Sequence, residues 1–131
     1  MKYTQTEIKL CKEIAKKYRK KIEYGDWYIW RLKTWRNPDT FEPPRICGKY
    51  EIVDIPENET YIPLWTLEDC LGFLREKRWL SYHFYPTKQN QIELSIVRIP
   101  FKFTTSDHII KVGDTLLEAC LKAVLAILEE K

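Results

Sequence analysis

The chain contains two histidines, which are the first residues to consider for acid–base chemistry. His83 lies where polar and apolar residues alternate, and as a general base it needs a partner brought close by folding, such as Cys47 or Asp54. Residues 106–108 place serine, aspartate and histidine side by side, but a catalytic triad is assembled across a fold and not along the chain. Residues 106–108 therefore predict a turn, and an enzyme built around His83 is only the third hypothesis for the function.

Known catalytic and nucleotide-binding motifs are missing from the sequence. The four glycines, Gly25, Gly48, Gly72 and Gly113, are too far apart for the G-x-G-x-x-G and P-loop patterns that cradle phosphates. The sequence also lacks an H-E-x-x-H pair, a G-x-S-x-G elbow and a calcium-binding loop. We therefore predict a chain without a cofactor and favour a protein that is not an enzyme.

The four cysteines do not have the spacing of a metal site. Cys11, Cys47, Cys70 and Cys120 form no C-x-x-C pair, and three of them stand in apolar runs or on apolar helix faces. A zinc site would have to combine them with a histidine without any local pair of ligands. The pattern predicts reduced thiols in the core of a cytoplasmic protein, and no bound metal.

Aromatic and basic residues are interleaved in three places, which is chemistry suited to binding. Trp30-Arg31 and Trp35-Arg36 are adjacent pairs, and residues 75–79 carry three cations before a tryptophan. Such a mixture can stack nucleobases and neutralise phosphates, and it is also enriched at protein–protein hot spots. Each tryptophan taken alone is an ordinary core residue. The predicted contact residues are Lys16, Lys20, Arg31, Trp35, Arg36, Arg75 and Arg78.

Charge is spread unevenly along the chain. The net charge is +3, but residues 1–36 hold eleven Lys and Arg against four Asp and Glu, whereas residues 37–131 hold eleven against fifteen. This asymmetry predicts one basic face that can meet an acidic partner. The alternative is that the same lysines form an ordinary solvated helix face.

Length and composition predict a single domain over residues 1–131, which is long enough to bury a substantial core. The sequence has neither a secretory start nor an apolar stretch long enough to span a bilayer. These features predict a cytoplasmic protein that does not enter a membrane.

The elements that must position these residues are organised around the last helix, at residues 114–131. Thr115 and Glu118 form a predicted capping box, in which each side chain accepts a hydrogen bond from the backbone N–H of the other residue. Residues 116–128 are apolar on almost every side, apart from a narrow polar stripe that includes Glu118. Such a helix has to be covered by a sheet or by other helices.

Two further helices are predicted at residues 4–22 and 67–77, with N-caps at Thr4 and Thr66. Gly72 inside the second of them predicts a close approach by another backbone. Prolines predict a loop at residues 34–45.

Alternating polar and apolar residues predict strands at 27–33, 46–54, 79–85, 91–96 and 101–105, with a further short strand at 109–112. The alternation changes phase at Val97, which predicts a bulge or a strand buried on both faces. The predicted fold class is α+β. It is an antiparallel sheet of about 4–6 strands packed with three helices, as an α-β-β-α-β-β-β-α sandwich.

One segment resembles a known family. The stretch Gly113-Asp-Thr-Leu-Leu-Glu-Ala-Cys-Leu-Lys-Ala-Val-Leu-Ala is similar to the closing helix of the phage ABA sandwich domain, a family of small proteins from phages and prophages. There, too, the last helix opens at a turn and runs through small residues, cysteine and leucine. The resemblance covers about the last third of the chain, and it implies an α-β-α layered fold and an origin in a mobile element. It implies no catalytic residues.

The first functional hypothesis is a small non-enzymatic protein, phage- or prophage-borne, that acts by binding another macromolecule. A protein is the expected partner, and inhibition of a host defence system is the expected role. The second hypothesis is a nucleic-acid-binding protein that uses the basic N-terminal helix and the Trp/Arg surface. The sequence leaves homo-oligomerisation open.

Overall fold

The computed structural model describes residues 3–18, 22–34, 37–41, 44–48, 61–98 and 108–129. The chain divides into two compact units. The first unit is Met1–Leu64, and the second unit is Trp65–Lys131. The described residues contain three helices and seven strands, and all five strand pairings are antiparallel. The predicted α+β class, antiparallel pairing and three helices are confirmed, although the strands form two sheets instead of one. The single-domain organisation stays a prediction.

The first unit contains one helix and four strands: α1 Gln5–Ala15, β1 Trp27–Thr34, β2 Asn37–Phe41, β3 Arg45–Ile46 and β4 Tyr61–Leu64. Strand β1 pairs with each of the other three. At its start it lies between β3 and β4, because Trp27 stands opposite both Ile46 and Leu64. Its later part pairs with β2.

Helix α1 begins where the sequence predicts, at a capping box. Thr4 Oγ1 accepts a hydrogen bond from Glu7 N at 3.1 Å, and the Glu7 carboxylate accepts one from Thr4 N at 2.7 Å. These bonds satisfy two N–H groups that have no partner within a helix. Cys11, Ile14 and Ala15 are buried on one stripe of α1, which packs against β4.

Helix α1 ends earlier than the predicted residue 22. Lys17 N and Tyr18 N both donate to Ile14 O, at 2.9 and 2.8 Å, so the chain leaves the helix through a tight final turn. The sequence at this point is a run of basic residues, and like charges one turn apart disfavour further helix.

The strands of the first unit differ most from the prediction. Residues 34–45 were predicted to be a loop because of their prolines, but β2 lies within them, at an end of the described strand order where a residue without an N–H is tolerated. Strand β4 was not predicted. The predicted strand 46–54 appears only as β3, and residues 49–60 lie outside the described part of the chain.

The second unit contains two helices and three strands: α2 Leu67–Glu76, β5 Trp79–Pro86, β6 Ile92–Arg98, β7 His108–Gly113 and α3 Leu116–Glu129. Thr66 and Asp69 cap α2 reciprocally, at 3.2 and 2.9 Å, as predicted. Strand β6 lies between β5 and β7. The predicted strands at 79–85, 91–96 and 109–112 are confirmed, and the one predicted at 101–105 lies outside the described residues.

One face of this sheet, here termed the helix-side face, packs against α3. Leu94 and Ile96 on β6 lie on it and are completely buried. Gly113 shares the face because it pairs with Ile92, and a Cβ at Gly113 would lie only 2.7 Å from Ala119 N in α3. Helix α3 contacts both β6 and β7, so it covers this face of the sheet.

Helix α3 is buried over residues 117–124 except at Lys122, and residues 125–128 are half-buried. This confirms the predicted core helix for its first part. Glu118 was predicted on a polar stripe but is buried. Its N–H donates to Thr115 Oγ1 at 3.0 Å as expected, and its carboxylate accepts a hydrogen bond from Asp114 N. The hydrogen bonds of the cap explain how a carboxylate is accommodated there.

Strand β5 contains one residue more than β6 near its start. Trp79 pairs with Arg98 and Ser81 pairs with Val97, so Leu80 is the extra residue. The bulge predicted at Val97 is therefore present, but its additional residue lies on β5 and not on β6. Before the bulge, the Arg98 guanidinium lies 4.8 Å from the ring centroid of the buried Trp79.

Candidate binding surface

The C-terminal end of α2 carries three exposed cations, here termed the α2 cation cluster: Arg75, Lys77 and Arg78. Positive charge is favourable near the carbonyl end of a helix, which accounts for Arg75 without invoking a function. Lys77 lies with its Nζ 5.7 Å from the centroid of the Phe73 ring. The cluster is interrupted by one acid, the exposed Glu76.

Arg78 adopts a left-handed backbone conformation, with φ of +69°, where the chain turns from α2 into β5. Its N–H donates to Arg75 O at 3.0 Å. This conformation costs a residue with a Cβ about 1–2 kcal/mol, and glycine is the usual residue at such a helix end. Asn90 is the other non-glycine with positive φ in the described residues, and asparagine tolerates it well. The turn would therefore be more stable with glycine in place of Arg78.

The face of the β5-β6-β7 sheet opposite α3 carries aromatic and polar side chains. His83 pairs with Ser95 and Tyr85 pairs with Glu93, while His108 lies diagonally across from Ser95 on β7. This face is termed the ring face, and it carries these five residues: His83, Tyr85, Glu93, Ser95 and His108. The three rings are exposed, Glu93 is half-buried and Ser95 is buried.

A hydrogen bond joins β6 and β7 on the ring face. Ser95 Oγ lies 2.6 Å from His108 Nε2, and either atom can donate according to the tautomer of the ring. This bond fixes the direction in which the His108 ring lies over the sheet. A nucleophile and its base have the same geometry, but catalysis also needs a group that orients the base and donors for the developing charge. Within the described residues, no such group accompanies this pair.

The rings on β5 form an ordered pair. The His83 and Tyr85 rings are nearly parallel, with 11° between their planes and 6.2 Å between their centroids. Tyr85 is 46% exposed, and Ile110, which pairs with Ser95, is 51% exposed. Exposed aromatic and aliphatic side chains that lie near one another on a sheet face are typical of a binding surface.

Cations stand at both ends of β5. Arg78 directly precedes the strand, and Lys88 lies exposed in the turn that follows it. This turn is closed by Thr87, whose Oγ1 accepts from Gln91 N at 3.1 Å. Glu93 is the one carboxylate among the five residues of the ring face. The surface is therefore a row of rings bracketed by positive charge.

Three of the seven predicted contact residues have described side chains. Lys16 is exposed at the end of α1, where its Nζ lies 3.2 Å from Glu13 Oε1. Arg75 and Arg78 are exposed in the second unit and lie within one turn of each other. The structure thus brings these two arginines together.

The other four predicted residues are not located as side chains. Arg31 lies in β1 opposite Phe41, but only its backbone is described. Lys20, Trp35 and Arg36 lie outside the described residues. Their role in binding stays a prediction.

Sequence reasoning did not identify Tyr85, Ser95 and His108 as neighbours. His108 was assigned to a turn, whereas it begins β7. The alternation along β6 and β7 was a signal that these residues share a face, but only the register between the strands shows which of them meet.

The described residues offer no metal site, since no three of their His, Cys, Asp or Glu side chains are close enough to hold an ion. All four cysteines are free and buried. Burial raises the pKa of the Cys120 thiol from its ordinary value of 9.0 to about 12, so it stays protonated at neutral pH and is a poor nucleophile.

No protein-family model, curated protein or solved structure matches the chain. The resemblance to the phage ABA sandwich domain therefore stays a prediction. Among the described helices, none has the length and apolar character needed to cross a membrane. The function is therefore inferred from the geometry of the α2 cation cluster and of the ring face.

Proposed function

We propose that this chain is a non-enzymatic binding protein whose second unit contacts an acidic surface of another protein through the α2 cation cluster. The observation that supports the proposal is the exposed arginine at position 78 in left-handed backbone. Residues held in unfavourable backbone conformations concentrate at functional sites, where the side chain is needed more than local stability.

The chemistry of the cluster favours a carboxylate-bearing partner. An arginine guanidinium presents a planar fork of N–H donors that matches a carboxylate with two parallel hydrogen bonds. Arg75 and Arg78 lie close enough to engage neighbouring carboxylates, and Lys77 adds a third positive charge. Arginine is also among the residues that dominate binding energy at protein interfaces.

The substitution Arg78→Gly separates stability from binding. It should raise the free energy of unfolding by about 1 kcal/mol, because glycine removes the strain at positive φ. The same substitution should weaken partner binding, since it removes one cation. Urea unfolding measures the first effect, and affinity for the captured partner measures the second.

Two control variants sharpen this test. Arg75→Ala removes a neighbouring exposed cation from ordinary helix, so it should weaken binding without raising stability. Asn90→Gly relaxes the other positive φ but removes no charge, so it should leave binding unchanged. A neutral or destabilising Arg78→Gly would refute the strain argument, and unaltered affinity in both arginine variants would refute the contact.

The partner itself can be sought with the immobilised chain. Proteins retained from a bacterial lysate by the wild type should be lost from a column carrying Arg75→Ala and Arg78→Ala together. Retention should also weaken as ionic strength rises, because exposed charge pairs are screened. Identical retention by both columns would contradict the proposal.

The resemblance noted in the sequence gives the proposal its biological setting. A phage- or prophage-borne protein that binds and inhibits a host defence protein is consistent with a small binding chain. A cytoplasmic location fits the four buried free thiols. Expression of the chain in bacteria that carry a defence system should restore phage plaques, and the double arginine variant should not. Equal plaque numbers with and without the chain across a panel of defence systems would contradict this role.

A further inference from the structure

We infer that the ring face binds unpaired nucleobases of a single-stranded nucleic acid. This is a second binding activity, carried by a different observation from the one behind the proposed protein contact. That observation is three exposed rings on one face of an antiparallel sheet, with cations at both ends of the strand that carries two of them. The two sites share Arg78, but the inference depends on the rings, so it can be tested separately from the protein contact.

The arrangement of the rings suits successive bases. His83 and Tyr85 stand two residues apart on β5 with nearly parallel ring planes. Every nucleobase has a π-face, so aromatic side chains in a row can each receive a base whatever the sequence. Antiparallel sheets with exposed aromatic side chains are used in this way for single-stranded RNA.

The third ring is held in place before any ligand arrives. The bond between Ser95 and His108 crosses two strands and limits rotation of the imidazole. A side chain that is already ordered loses less conformational entropy on binding, which favours affinity. The buried serine is thus a positioning residue for an exposed ring.

The charges around β5 match a phosphate backbone. Arg78 and Lys88 flank the strand, and both are exposed. The eight residues of β5 extend over about 26 Å, which is room for about 4 nucleotides, at the lower end of known site sizes. Phosphates at the two ends can therefore meet cations while the bases between them lie on the rings.

Glu93 gives the surface a base preference. It pairs with Tyr85 across β5 and β6, so the two side chains are cross-strand neighbours on the same face of the sheet. A carboxylate repels phosphate but accepts a hydrogen bond from an exocyclic amino group such as that of cytosine. The ring face should therefore prefer cytosine to thymine or uracil.

A second copy of this chain fits the ring face less well. Three strands with about five residues each present roughly 250 Å². A stable protein interface buries about 800 Å² on each partner, so this face alone is too small for a dimer. A few stacked bases need no more area than the face provides.

The test is fluorescence anisotropy at low salt with labelled single strands of about 12 nucleotides, a length within known site sizes. The probes are oligocytidine as DNA and as RNA, oligothymidine, and an abasic strand with the same phosphates. Oligocytidine should bind most tightly, and the abasic strand should bind at least about 10-fold more weakly, because it has no base to stack. The DNA and RNA arms show which sugar the site accepts.

Matched variants locate the contact. Tyr85→Ala and His83→Ala should each lower affinity for oligocytidine by about 5- to 100-fold, the range expected for one stacked base. Phe84→Ala is the control, since Phe84 is exposed to a similar extent, 42% against 46%, but pairs with Leu94 and so lies on the helix-side face. It should leave affinity unchanged. Glu93→Gln should reduce the preference for cytosine over thymine.

Several results would overturn the inference. The first is an absence of binding to every strand at low salt, and the second is equal affinity for the abasic strand. The third is an equal loss in Phe84→Ala and Tyr85→Ala. Loss of a protein partner in Tyr85→Ala, without any oligonucleotide binding, would assign the ring face to protein instead. Arg75 belongs to the α2 cation cluster alone, so Arg75→Ala should weaken the protein contact and leave oligonucleotide binding normal, which separates a failure of the proposed function from a failure of this inference.

Discussion

The two faces of the β5-β6-β7 sheet are made by alternate residues of the same strands, yet they differ in almost every property. On the helix-side face, Leu94 and Ile96 are completely buried beneath α3. On the ring face, Tyr85 and Ile110 are about half exposed, and a histidine lies beside a serine. The period of two along a strand separates what holds the unit together from what is available for recognition.

This separation has an energetic meaning. Burial of apolar area contributes most of the stability of a folded unit, so the helix-side face should set the free energy of unfolding. The ring face contributes little to that term because its apolar atoms still meet water. Substitutions on the helix-side face should therefore lower the free energy of unfolding, whereas substitutions on the ring face should change it little.

The largest difference is expected between Leu94→Ala and Ile110→Ala. Leu94→Ala removes a fully buried side chain and leaves a cavity, so it should lower the free energy of unfolding by about 2–5 kcal/mol. Ile110→Ala truncates a half-exposed side chain and should cost less than about 1 kcal/mol. Urea unfolding followed by tryptophan fluorescence measures both. Similar losses in the two variants would show that the ring face is part of the core.

A smaller effect is expected where α3 approaches the sheet. Gly113→Ala places a Cβ 2.7 Å from Ala119 N, and backbone cannot move as easily as a side chain, so the cost should be about 1–3 kcal/mol. Gly72→Ala is the opposite case. Gly72 is exposed in α2 with nothing within 4 Å of the added carbon, so alanine should stabilise by about 0.5–1 kcal/mol.

Thermal or urea unfolding of the two glycine variants side by side checks this pair. The close backbone approach predicted at Gly72 from the sequence is wrong, and the close approach occurs at Gly113 instead. A stabilising Gly113→Ala would contradict the close approach of α3 to the sheet, and a destabilising Gly72→Ala would contradict the open space around Gly72.

The last effect vanishes at neutral pH and concerns Cys120 in α3. The folded-state pKa of Cys120 is raised to about 12 from 9.0, so below pH 9 the thiol is protonated whether the chain is folded or not. Above that pH the unfolded chain releases this proton and the folded chain does not, so stability falls as pH rises from about 9 towards 12. Cys120→Ala should therefore lose less stability over this interval than the wild type.

Unfolding free energies measured at several pH values give this comparison. The relevant quantity is the slope against pH and not the absolute stability, because alanine also leaves a small cavity. Parallel slopes for the two proteins would mean that the thiol is not shielded in the folded state.

Much of the local structure follows directly from the sequence. Thr4, Thr66 and Thr115 were each predicted to begin a helix, and each accepts a hydrogen bond from the backbone three residues ahead. Capping is decided by residues within one turn, so it can be read without knowledge of the fold. The apolar run of α3 is equally informative, because a helix of that composition has to be buried.

Long-range pairing was predicted less well. Strands β2 and β4 contain Pro38 and Pro63, and local propensity argues against strand at both positions. Both strands exist because β1 supplies partners for their remaining hydrogen-bonding groups. That contribution is tertiary and does not appear in a local pattern.

The candidate binding surfaces could likewise be predicted only where they depend on local sequence. Arg75 and Arg78 were predicted as contact residues because they stand in a stretch of basic residues that ends at a tryptophan. The positive φ of Arg78 has no sequence signature. Ser95 and His108 are thirteen residues apart in the chain, and only the register of β6 against β7 places them in contact.

The bulge at Leu80 decides which residues of β5 share a face. In an uninterrupted strand Trp79, His83 and Tyr85 would all lie on the same side, because even numbers of residues separate them. The extra residue shifts the alternation by one position, so Trp79 is buried on the helix-side face while His83 and Tyr85 project from the ring face. One inserted residue therefore lets a single strand supply both the core and the candidate binding surface.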